Sequence, residues 1–124
     1  MSYALALSNP GSDIDKYLSQ VYQIPVLTRE EELELTTEFF ETEDVKLAHK
    51  LVIAHLRFVV HIAKSYAGYG LPLADIIQEG NVGLLKAVTK FDPNKGVRLV
   101  SFAVHWIKAE TVSYTHLTLP TIPG

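Results

Sequence analysis

Residues 71–91 read Leu-Pro-Leu-Ala-Asp-Ile-Ile-Gln-Glu-Gly-Asn-Val-Gly-Leu-Leu-Lys-Ala-Val-Thr-Lys-Phe. At about 100° per residue, Ile76, Ile77, Leu84, Ala87, Val88 and Phe91 gather on one side of a helix, a side apolar enough to demand burial. The other side carries Asp75, Gln78, Glu79, Lys86 and Thr89, with Val82 and Leu85 set among them. A small apolar centre framed by an acid, an amide and a base is how a docking surface is composed. An ordinary amphipathic helix with stray exposed aliphatics is the plainer account. Gly80 and Gly83 each cost about 1 kcal/mol relative to alanine inside a helix, which predicts a neighbouring helix pressed close to this backbone.

The flanking segments extend the helical pattern. Ser12 is placed to cap a short helix, Asp13–Gln23, with Ile14, Tyr17, Leu18 and Val21 on one side, and Pro25 ends it. Thr28 and Glu31 form a capping box that opens a helix over about 29–41, carrying Leu33, Leu35, Phe39 and Phe40. From Glu43 to Tyr66 apolar residues cover nearly the whole circumference, leaving Lys50, Arg57, His61 and Lys64 as a narrow polar stripe. This predicts one central helix. Gly68 and Gly70 end it, and Pro72 opens the next. Asp92-Pro93-Asn94-Lys95-Gly96 is a turn by composition, and Ser101 is placed to cap a last helix from Phe102 to Glu110. With no strand periodicity, the expected fold class is all-α, a compact bundle of four to five helices.

Bulk properties narrow the function. The 124 residues suffice for one domain with its own core. Without cysteine there are neither disulfides nor thiolate sites. The first residues lack a basic start, and the most apolar run, 51–63, is interrupted by His55, Arg57 and His61, well short of the roughly 20 residues that span a bilayer. A soluble, cytoplasmic protein with no membrane partner is expected. His49, His55 and His61 recur every six residues, a spacing that turns each by about 240° from the last and prevents a shared metal site. No metal, cofactor or small-molecule substrate is expected. No carboxylate pair, phosphate-binding glycine loop or nucleophile elbow supports an enzyme, and Asp75 with Glu79 is better read as part of the docking side.

Charge is divided unevenly. Residues 1–45 hold 2 basic and 10 acidic side chains, a net of −8; residues 46–110 hold 9 basic and 4 acidic, a net of +5; residues 111–124 hold none. A basic module behind an acidic arm suits an anionic partner. On the last helix Phe102, His105, Trp106 and Ala109 share one face, with Ala103, Val104 and Ile107 towards another, and Lys95 and Arg98 just before it. Rings beside cations suit single-stranded nucleic acid, where stacking contributes about 1–3 kcal/mol per base. Packing of Phe and Trp into a core is the competing account.

Three motifs in order carry a resemblance: Leu56-Arg57-Phe58-Val59-Val60, residues 74–88, and Ser101-Phe102-Ala103-Val104-His105-Trp106-Ile107-Lys108. Together they resemble the second region of bacterial RNA polymerase sigma factors, and residues 96–110 are similar to the heat-shock branch in particular. The likeness runs over about residues 12–110. It implies a sigma-type helical bundle that binds core RNA polymerase, on the coiled coil of the largest subunit, through Asp75, Gln78, Glu79, Asn81, Leu85 and Lys86. It also implies a segment that opens promoter DNA at the minus-ten element and holds the non-template strand. By motif position Phe102 would stack on a flipped adenine, with Phe91, Asp92, Lys95 and Ser101 around its pocket. His105 and Trp106 would wedge against the last intact base pair, and Arg98 and Lys108 would meet phosphates.

The chain departs from the pattern in two ways. Val97, Leu99 and His105 stand where housekeeping relatives place aromatics, which predicts weaker unaided melting. After Glu110 the uncharged run Thr-Val-Ser-Tyr-Thr-His-Leu-Thr-Leu-Pro-Thr-Ile-Pro-Gly, with its β-branched residues and two prolines, is expected to break the helix. The organisation expected is a flexible start (1–11), an acidic helical segment (12–45), the sigma region-two core (46–110) and an unstructured, non-homologous tail (111–124), left by a switch of reading frame or of sequence assembly, with a natural truncation carrying a small new end as the alternative. The other class of function is a helical interaction module that binds polymerase or a regulator without touching promoter DNA. Exposure of Phe102 and Trp106 separates the two.

Overall fold

A computed structural model of the chain describes residues 13–66 and 70–118. α1 (Ile14–Gln23) starts from Asp13, whose side chain accepts the Lys16 N–H at 3.0 Å; the cap expected at Ser12 lies outside the described residues. α2 (Arg29–Thr42) opens with the expected capping box, Glu31 N–H donating to Thr28 Oγ1 at 3.1 Å and Thr28 N–H to Glu31 Oε1 at 2.9 Å. α3 (Val45–Ala54) is capped by Asp44 and followed at once by α4 (Leu56–Lys64). α5 (Leu73–Lys90) follows Pro72, a 3-10 turn spans Pro93–Lys95, and α6 (Leu99–Thr118) ends the described chain. Among the described residues there is no strand, so the all-α class holds, with six helices instead of four or five.

The extra helix comes from a break at His55, whose φ is −113° and ψ 8°. In an unbroken helix the His55 N–H would donate to the Leu51 carbonyl. Here the His55 ring, through Nδ1, takes that carbonyl at 2.7 Å, and the N–H moves to Val52 O at 3.0 Å. A side chain inserted into its own hydrogen-bond ladder divides the helix expected over Glu43–Tyr66.

α5 packs most extensively on α6, and α4 packs on both. All six expected core residues of α5, Ile76, Ile77, Leu84, Ala87, Val88 and Phe91, are buried. A Cβ on Gly83 would lie 2.8 Å from Ile107 Cα, and one on Gly80 would lie 2.7 Å from Val59 Cγ1. The close neighbours expected from these glycines are therefore α6 and α4.

α2 reverses the usual arrangement. Glu32 and Thr36 are buried, while Leu33 and Phe40 are exposed. α6 does not stop at Glu110 but continues to Thr118, a correction to the expected break. β-branched residues cost at most about 0.7 kcal/mol each in a helix. Thr111, fully buried, has its hydroxyl satisfied by the Ile107 carbonyl at 2.7 Å. The two prolines, at 120 and 123, lie outside the described residues, as do residues 1–11 of the expected flexible start. Among the described residues no helix is long and apolar enough to cross a membrane.

Candidate docking and nucleic-acid interfaces

On α5 the expected docking side is exposed. Asp75, Gln78, Lys86 and Thr89 face solvent and Glu79 is half-buried. Val82 is 41% and Leu85 45% exposed. Two of its polar groups already have partners on α6: the Tyr114 hydroxyl donates to Asp75 Oδ2 at 3.1 Å, and the Lys86 ammonium forms an ion pair with Glu110. Asn81 does not belong to this face. It is buried, and its Nδ2 donates to the Tyr17 hydroxyl at 3.4 Å. Four residues after Ile77 and three before Leu84, Asn81 falls on the core side by helical spacing, so the signal was present in the sequence.

Phe91 closes α5, and its ring lies 5.6 Å from that of Phe102, which lies 6.4 Å from Trp106, all tilted by about 50°. Phe91 is buried while Phe102 and Trp106 are half-buried, so the row runs from the core to the surface. The Lys90 ammonium sits 5.6 Å from the Trp106 ring centroid, a cation–π distance. Lys95, Ser101, His105 and Lys108 are exposed around the row. Asp92 makes the turn itself, accepting the Asn94 N–H at 2.9 Å and its side-chain amide at 3.1 Å, and Gly96 closes it at φ 76°. Leu99 is fully buried. An aromatic restored at this position would therefore lie in the core, where it cannot meet a base.

One further expectation changes at the head of α6. Ser101 is not the cap: its N–H and that of Phe102 donate to the Arg98 carbonyl at 3.1 and 3.2 Å, so the helix is already under way. The cap comes from α2, where Glu32 Oε2 accepts the Leu99 N–H at 3.1 Å. Arg98, expected to meet a phosphate, donates from Nη2 to Glu32 Oε1 at 2.9 Å, and its side chain stays 42% exposed. His55 Nε2 stands 3.7 Å from the same oxygen. Burial alone would raise the Glu32 carboxyl, but the contacts from His55, Arg98 and the Leu99 N–H outweigh it and bring it down to about 2. In the sequence Glu32 is one of many acids in a run rich in glutamate. Its helical alignment with Thr36 and Phe39 was the available cue.

Next to this cluster a cavity of about 470 Å³ is lined by Tyr22, Phe58, Arg57, His55, Glu32 and Arg98, among others. Arg57 and Lys64 lie 5.7 and 5.5 Å from the centroid of the Tyr22 ring. Rings and cations around an open recess can receive a planar, unstacked base. Among the described residues no group of His, Asp or Glu is arranged to hold a metal ion.

Geometrically the domain presents one exposed surface on α5 and another on α6. The family described as Sigma-70 region 2 matches residues 51–115, from within α3 well into α6, and the chain belongs to that family. It is 43% identical over 111 residues, 90% of this chain, to RNA polymerase sigma factor RpoH of Caulobacter vibrioides strain NA1000 / CB15N. The same protein of strain ATCC 19089 / CIP 103742 / CB 15 is similar to the same extent. These relatives agree with the resemblance of residues 96–110 to the heat-shock branch. The chain spans 38% of their length.

Proposed function

We propose that this chain is the region-two part of a cytoplasmic sigma factor, a non-catalytic specificity subunit that docks on core RNA polymerase and opens the minus-ten element of heat-shock promoters. The observation that carries the reading is on α5. From Ile76 to Val88 its aliphatics are buried except Val82 and Leu85, which sit exposed inside a frame of Asp75, Gln78, Glu79 and Lys86. That is the surface for the coiled coil of the largest subunit. Asn81 serves it from behind, by fixing α5 against α1.

The α6 surface supports the DNA step. Drawing a base out of the duplex costs a few kcal/mol, and stacking on Phe102 would return about 1–3 kcal/mol. Phe91 backs Phe102, Asp92 and Ser101 shape the rim, and Lys95 and Lys108 supply charge for phosphates. His105 and Trp106 stand further along as the wedge. Val97 is 52% exposed and His105 is exposed, so aromatics restored at these two positions should increase permanganate reactivity of an AT-rich promoter.

The test is binding of the chain to sigma-free core polymerase beside a Gln78→Ala, Glu79→Ala double variant of equal helicity. Binding by the native chain with loss in the variant supports the docking face; no binding by a folded chain sinks the reading. The half-burial of Phe102 and Trp106 favours one second reading, an interaction module that never touches DNA. Minus-ten single strand added to the complex decides it: unchanged binding by Phe102→Ala would favour the module.

A further inference from the structure

An acidic helix packed beside a nucleic-acid surface poses a problem of sign. Residues 29–42 contain Arg29 against six glutamates, and fixed negative charge repels a strand whose affinity depends on phosphate neutralisation. Resting on the sigma reading above, the geometry points to Glu32 as the positioning residue of the strand-holding face: from α2 it caps the start of α6 and clamps Arg98, and so sets where Phe102 and Trp106 stand relative to Phe91.

Glu32 spends both carboxylate oxygens on the head of α6, one on the Leu99 N–H at 3.1 Å and one on the Arg98 guanidinium at 2.9 Å. It is 6% exposed, so it is spent on structure and not on solvent. An anion at a helix N-terminus satisfies an otherwise orphaned N–H and complements the helix dipole. Here it does so from a distant part of the chain, so the start of α6 depends on α2 being in place. Leu99, Phe102 and Trp106 follow at helical spacing along one side. An error of one residue at the cap would rotate the row by about 100°, away from Phe91. The acidic segment thus serves DNA binding by holding the aromatic row.

The experiment uses the full chain bound to core polymerase, with Glu32→Gln and Glu32→Asp. Removing a carboxylate near a polyanion strengthens binding if charge alone matters. Positioning makes the opposite demand: Glu32→Gln should weaken binding of a fluorescent minus-ten single strand by about tenfold while core affinity stays within about twofold, since the hydrogen bonds lost involve an ionised acceptor. Glu32→Asp keeps the charge, is one methylene short of α6, and should lose affinity in the same direction. Trp106 is the only tryptophan, so its emission in the free chain should shift for both variants at constant helicity. Strand binding that is unchanged or tighter, or an equal loss of core and strand binding, overturns the proposal. Phe102→Ala separates the two levels. If it weakens strand binding and Glu32→Gln does not, only this inference fails; if Phe102→Ala has no effect, the DNA reading beneath it fails.

Discussion

Helices α5 and α2 bury opposite kinds of side chain. α5 hides Ile76, Ile77, Leu84 and Val88 and shows a polar frame around Val82 and Leu85. α2 hides Glu32 and Thr36 and shows Leu33 and Phe40. The inside of α5 follows from its own periodicity, because apolar area removed from water is stabilising whatever neighbour removes it. The inside of α2 follows from what faces it: an open helix N-terminus, a guanidinium and an imidazole nitrogen, which together suit a carboxylate. Hydrophobic burial is indifferent to its partner, whereas ionic burial depends on one.

The largest effect on the packing of α5 is expected at Gly83. Gly83→Ala gains about 1 kcal/mol of helix propensity yet should cost a net of about 2 kcal/mol, because the new methyl meets the backbone of α6 and not a movable side chain. Urea unfolding by circular dichroism checks it. Gly80→Ala, which meets only the Val59 side chain, should cost less.

Next is Glu32→Ala, expected to cost about 2 kcal/mol because Arg98, His55 and the Leu99 N–H lose their partner. Leu33→Ser on the same helix should stay within about 0.5 kcal/mol. If the serine variant proves the more harmful in the same urea titration, the inverted polarity of α2 is wrong.

Acid gives a more gradual readout. The carboxyl of Glu32 is lower in the folded chain, at about 2, than its ordinary value of 4.5. Its contribution is therefore complete above about pH 4.5 and is lost as the pH falls from there towards 2. Urea midpoints measured at pH 7, 4 and 3 should fall less steeply for Glu32→Gln than for the native chain.

The smallest stability effect belongs to the exposed face of α5. Leu85→Ser should change unfolding by no more than about 0.5 kcal/mol, yet weaken core polymerase binding by about tenfold as the apolar centre of the interface is lost. Unimpaired polymerase binding would return Val82 and Leu85 to the ordinary run of exposed aliphatics.

The all-α class, the capping box at Thr28 and Glu31, the turn at Asp92–Gly96, the buried side of α5 and the close approach at its glycines are legible in the order of the residues. Each depends on spacing within a few residues of chain or on the volume of one side chain. The order of the polar-faced helix before the aromatic one is equally legible there. It takes the assembled bundle to show that His55 divides the central helix, that Asn81 turns inward to Tyr17, that Leu99 is core, that α6 continues past Glu110, and that Arg98 pairs with Glu32. Glu32 and Arg98 are 66 residues apart in sequence. No local pattern marks either as the other's partner, because the strength of a buried charge pair depends on a geometry that exists only once α2, α3 and α6 have met.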